Sequence, residues 1–108
     1  MTKRQTKDWS AVDTSNIATG KHELHVHGIV ETNDSSEVVE LREITPQGIN
    51  PAELMLSCIV TKKGAGADVK GWKDAVFVKP ITEGQYTAVA ISGPEIDAVR
   101  VNVSQGVG

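Results

Sequence analysis

The sequence predicts an all-β protein, a six- to seven-stranded antiparallel β-sandwich of immunoglobulin-like or fibronectin-like character. Short runs alternate between apolar and polar residues, and clusters of Gly, Pro, Asn, Asp and Ser separate these runs. No apolar pattern with the 3.6-residue period of a helix extends over helical length. The 108 residues suit one domain, and 39% hydrophobic against 23% charged residues is typical of a globular chain.

The chain divides into a basic N-terminal arm at 1–8, a single domain at 9–104 and a tail at 105–108. The arm holds three basic residues and one acidic residue, or +2, which leaves −5 for the rest of a chain with net charge −3. An acidic body repels phosphate, and aromatic residues make up only 4%, so we expect no nucleic-acid partner. No apolar run is long enough to cross a bilayer. We therefore expect no membrane contact, no secretory signal and a cytoplasmic location.

Residues 21–31 combine the clearest strand pattern with the densest side-chain chemistry. In an extended strand Leu24 and Val26 share the core face, and His22 points the same way. The opposite face carries two imidazoles and two carboxylates, from Glu23, His25, His27 and Glu31. A His-x-His pair can chelate Zn, Ni or Cu if a neighbouring strand supplies further ligands. The other interpretation is a solvated strand face without metal.

Residues 25–31 read His-Val-His-Gly-Ile-Val-Glu, which resembles the His-x-His-x-x-x-Glu core of the first cupin motif. In cupins those three side chains bind a metal inside a small β-barrel. Residues 46–48 have the Pro-x-Gly of the second cupin motif without its histidine. The resemblance covers seven residues. It implies a divalent transition metal on His25, His27 and Glu31, and it makes a small jelly-roll or cupin-like barrel the alternative fold.

The rest of the chain reads as further short strands. A polar cluster at 33–36 predicts a turn, so we expect strand 21–31 to form a hairpin with an extended segment at 37–44. Residues 8–20 read as an irregular lead-in or a short edge strand. Two prolines make 45–53 a stiff crossover loop, and 62–68 is a glycine-rich loop without a nucleotide-binding signature.

The predicted core follows from alternation in these strands and in a meander of strands after Trp72. Cys58 is the only cysteine, so no intramolecular disulfide can form, and we expect it in the core rather than as a nucleophile. The predicted core residues are Leu24, Val26, Leu41, Leu56, Cys58, Val60, Val89, Ile91, Val99 and Val101.

Apolar residues also occupy the outward faces of two predicted strands. Met55 and Ile59 lie opposite the core face of strand 54–61, and Val38 and Ile44 do so in the preceding strand. Monomers seldom expose such a patch, so residues 8–20 or a second subunit should cover it. We favour a symmetric homodimer.

The function predicted from the sequence is a non-enzymatic binding or assembly module that acts through protein contacts and needs no cofactor. No nucleophile, acid–base pair or cofactor motif stands out. The alternative is a metal-binding or metal-dependent protein built on His25 and His27.

Overall fold

The computed structural model describes residues 3–107, which form seven β-strands and no helix. Met1 and Thr2 of the predicted arm and Gly108 of the predicted tail lie outside the described residues. The all-β fold class is confirmed. The strands are β1 (Thr6–Ser15), β2 (His22–Thr32), β3 (Glu37–Glu43), β4 (Glu53–Lys62), β5 (Gly71–Ile81), β6 (Ala88–Gly93) and β7 (Ile96–Val107).

The seven strands belong to one mixed sheet, in the order β3-β4-β6-β7-β1-β2-β5. The prediction of a purely antiparallel arrangement is wrong, because β1 pairs with β7 and β4 pairs with β6 in parallel. The long strand β7 is the central strand of the sheet and pairs with a strand on each side. Its first half pairs with β6, and its second half, which includes 105–107 of the predicted tail, pairs with β1.

The two end strands of the sheet, β3 and β5, lie side by side, so the sheet nearly closes into a barrel. Two lysines of β5 bridge this seam. Lys79 Nζ lies 2.7 Å from Glu43 Oε1, and Lys73 Nζ donates to the backbone carbonyls of Ser35 and Glu37. Charged side chains at a strand edge disfavour pairing with foreign strands. The packing of a two-sheet immunoglobulin-like sandwich is not confirmed.

Two local predictions about strand pairing are wrong. The expected hairpin does not form, because β2 lies between β1 and β5 while β3 pairs with β4. Residues 8–20 supply most of β1, which is an interior strand rather than an irregular lead-in or an edge strand. A bulge between Lys7 and Ser10, with Asp8 at a φ of 56°, interrupts the alternation of inward and outward side chains in β1. The sequence pattern of this segment therefore did not indicate a regular strand.

The core prediction is confirmed for seven of the ten residues, which are buried, while Val60, Val99 and Val101 are half-buried. Cys58 is among the buried seven, and burial raises the pKa of its thiol to about 11, as expected for a packing residue. The core also contains buried apolar residues outside those ten. They are Ala11, Val30, Leu54, Ala75, Ala88 and Ile96.

An ion cluster fastens the segment before β1 to the body. Arg4 donates to both carboxylate oxygens of Glu37 at 3.0 and 2.8 Å, and its Nε donates to Glu95 at 3.1 Å. The Arg4 and Glu37 side chains are only 9% and 11% exposed. The backbone of Arg4 also forms a parallel bridge with Ile96. The basic segment is thus held against the sheet from Arg4 onward.

Trp9 packs on the backbone of β2 at Gly28. A Cβ at Gly28 would lie 2.1 Å from Cε3 of the indole, so only glycine leaves room for the ring. The indole Nε1 donates to Thr6 Oγ1 at 2.9 Å, which fixes the ring orientation. The glycine inside the histidine strand therefore serves packing between β1 and β2.

Candidate functional site

The histidine row lies on the outer face of the sheet, as alternation predicts. Leu24 and Val26 are buried in the core, while the His25 and His27 side chains are 46% and 44% exposed. Residue 28 returns to the inner face as a buried glycine. The two imidazoles therefore point to the same side of β2, two residues apart.

Each exposed imidazole has a carboxylate partner at Nε2. His25 Nε2 lies 3.4 Å from Glu23 Oε1, and His27 Nε2 lies 3.0 Å from Asp74 Oδ1 on β5. Glu31, the fourth predicted ligand, stands at the other end of the row and accepts a hydrogen bond from the Gln5 backbone at 3.4 Å. Among residues 3–107, no three His, Cys, Asp or Glu side chains come together in a group that could hold a metal ion.

Exposed apolar side chains flank the histidine row on β5. Val76 stands directly opposite His27 and Val78 opposite His25 in the antiparallel β2–β5 register. Val76 is 57% exposed, Val78 46% and Trp72 45%. Their Cβ atoms share the outer face with the imidazoles, because directly paired residues point to the same side of a sheet. We call these five residues, Trp72, Val76, Val78, His25 and His27, the β2–β5 face.

The polar side chains around the β2–β5 face have partners within the chain. The two imidazoles have their carboxylates, and Lys7 Nζ lies 4.3 Å from the centroid of the Trp72 ring in a cation–π contact. The face thus combines apolar surface with locally paired polar groups.

The four residues predicted for an interface lie on the outward side of β3, β4 and the segment after β3. Val38 is exposed, while Ile44, Met55 and Ile59 are half-buried. The crossover loop lies against Met55, because a Cβ at Gly48 would come 2.8 Å from the Met55 sulfur. The Gln47 amide holds the loop there by donating to the Met55 carbonyl at 2.9 Å and accepting from the Met55 N–H at 2.8 Å. The crossover loop covers this part of the predicted patch, a role that the sequence assigned to residues 8–20 or a second subunit.

Sequence reasoning missed a buried pair, Asp13 and His22, at the end of the β1–β2 hairpin. His22 Nδ1 donates to Asp13 Oδ1 at 2.7 Å, and the Asp13 side chain is fully buried. Asp13 Oδ2 also accepts from the Gly84 N–H at 3.2 Å and from Gln105 Nε2 at 3.5 Å. The alternation of side chains along the strands could have revealed the pair. Both residues occupy core-facing positions, where a polar group needs a partner.

Burial alone would raise the pKa of Asp13, but the hydrogen bonds from His22, Gly84 and Gln105 hold it below its ordinary value. His22 also lines two adjoining clefts, of about 600 and 520 Å³, together with Lys21 and Pro80. No described side chain other than Asp13 forms a hydrogen bond with the His22 ring. The pair ties β1 and β2 to β7 and to the turn before β6, which is the role of a structural clamp.

Comparisons with protein-family models, with curated proteins and with solved structures found no match. Within residues 3–107, no helix has the length and apolar character needed to span a membrane.

Proposed function

We propose that this protein is a non-enzymatic binding module that associates with a second copy of itself through the β2–β5 face. The observation that supports this proposal is the row of large apolar side chains that remain exposed on β5, Trp72, Val76 and Val78. Exposed apolar patches on soluble domains commonly mark protein-binding surfaces. The three side chains lie on the outer face of one strand and border the exposed imidazoles, with Asp74 between Trp72 and Val76.

The polar pairing within the chain favours a second copy over a partner that binds through free polar groups. The polar groups on this surface are paired within the chain, through His27 and Asp74, His25 and Glu23, and Lys7 with the Trp72 ring. When the polar groups of a face are already paired, its apolar side chains are the surface that a partner can bury. It suits an isologous contact, in which the same surface is contributed by both subunits of a symmetric dimer.

Two finer expectations belong to the same proposal. A sandwich-like division of the sheet is supported by β7, whose first half pairs with β6 and whose second half pairs with β1. Strands that change partners in this way turn the corners of packed sheets. A cytoplasmic location is supported by the single, buried, free thiol of Cys58.

Sedimentation equilibrium at micromolar concentration, with a chelator present, tests the proposal through two matched double variants. We expect the native protein to dimerise and the Val76→Ser, Val78→Ser variant to sediment as a monomer with an unchanged fold by circular dichroism. The control, Met55→Ser, Ile59→Ser, alters the outward apolar residues of β4 and should remain a dimer. A monomeric native protein would refute the proposal. If only the control dissociates, the proposal is refuted and the result supports the interface predicted from the sequence, at Val38, Ile44, Met55 and Ile59.

A further inference from the structure

We infer that His25 and His27 form one half of a divalent transition-metal site, which a second copy of the chain completes with its own two histidines. The metal class is Zn²⁺, Ni²⁺ or Cu²⁺, for which imidazole is a preferred ligand. The inference rests on the proposed function, because the site exists only where two β2–β5 faces meet.

One chain supplies two metal ligands, which are fewer than a tetrahedral ion needs. Residues two apart on a strand lie about 6.8 Å apart along its axis, a spacing from which two imidazoles on one face can converge on a single ion. His25 and His27 have this relation and are both exposed. Yet no third His, Cys, Asp or Glu among residues 3–107 joins them in a metal-holding group. A tetrahedral ion therefore lacks two of its four protein ligands in the single chain.

The ring contacts match those of metal-binding histidines. Each imidazole directs Nε2 to a carboxylate, from Glu23 or Asp74, and the described residues give no hydrogen bond at Nδ1. In the neutral tautomer whose Nε2–H donates a hydrogen bond to the carboxylate, Nδ1 carries the lone pair that can bind a metal. Such carboxylate–histidine pairs orient ligands and raise their affinity.

Sheet packing places a second pair of histidines at the right height. Sheets that pack face to face lie about 10 Å apart, so a two-fold axis between them lies about 5 Å above each sheet. An imidazole that projects from its strand reaches that distance. Val76 and Val78, directly opposite the two histidines on β5, would exclude water beside the ion.

Zinc alone serves as the probe. For each protein the dimer dissociation constant is measured by sedimentation equilibrium in chelator and again with zinc, and the ratio isolates the effect of the metal. We expect zinc to tighten the native dimer roughly tenfold or more, with one zinc per two chains after gel filtration. The ratio should fall to one for His25→Ala, His27→Ala. It should be unchanged for Met55→Ser, Ile59→Ser, which alters a different face.

The outcomes separate this inference from the proposed function. A native dimer in chelator that does not respond to zinc overturns the metal site and leaves the proposed function standing. Zinc bound at one per chain without tighter association, or a response that survives loss of both histidines, also overturns it. A protein that is monomeric with and without zinc overturns both. Dimers that form only with zinc and require both histidines support the metal site and refute association without metal.

Discussion

Replacing Gly28 by Ala tests the packing that joins the histidine strand to β1. The added Cβ would lie 2.1 to 2.4 Å from three carbons of the Trp9 indole, so the ring must move. Overpacking of this kind costs about 1–3 kcal/mol, and loss of the Trp9–Thr6 hydrogen bond adds about 1 kcal/mol. Alanine is better than glycine in a strand by about 0.5–1 kcal/mol. The net loss in the free energy of unfolding should be about 1–3 kcal/mol.

Urea denaturation followed by circular dichroism measures this loss, and a double-mutant cycle assigns its cause. In a Trp9→Val background the ring is gone, so Gly28→Ala should be neutral or stabilising by up to about 1 kcal/mol. A cost that is equal in both backgrounds would refute the explanation, because the clash with the indole would then have no part in it.

Three further predictions concern the core and the buried ions. Leu56→Ala should lower the free energy of unfolding by about 2–5 kcal/mol, and an unchanged thermal melt would contradict the face assigned to β4. Hydrogen bonds from the hydroxyl and backbone of Ser36 lower the pKa of Asp34 to about 2, so its stabilisation is present above its ordinary pKa of 3.8 and lost as the pH falls towards 2. Asp34→Asn should therefore flatten the acid limb of a stability-against-pH curve, and an unaltered limb would count against this assignment. Arg4→Met removes the cation from the buried Glu37 carboxylate, which keeps only its hydrogen bond from the Asn33 N–H, and should cost up to about 3–5 kcal/mol in urea unfolding. A loss below about 1 kcal/mol would mean that this hydrogen bond and water satisfy the carboxylate.

Alternation predicted the inward and outward faces of most strands, because it depends only on local backbone geometry. Leu24 and Val26 are buried and His25 and His27 exposed for this reason. Alternation within a strand does not predict which strands pair with one another. β2 pairs with β1, its neighbour in the sequence, and with the distant β5, so the assumption that β2 also pairs with β3 failed.

The missed residues of the candidate site share a physical cause. Asp13 interrupts the apolar pattern of β1, and its burial becomes tolerable only through His22, Gly84 and Gln105, which tertiary folding brings together. The exposure of Val76 and Val78 was hidden for a similar reason, since β-branched residues on a strand read as core until the sheet fixes which face is outward.

Methyl NMR spectra recorded on dilution, in chelator, test the central claim most directly, since they show which surface is buried when the protein associates. The account predicts that the resonances of Val76 and Val78 shift with concentration while the Met55 methyl resonance stays constant. Valine resonances that do not change from millimolar to micromolar protein, or a shift of Met55 in their place, would contradict a β2–β5 interface.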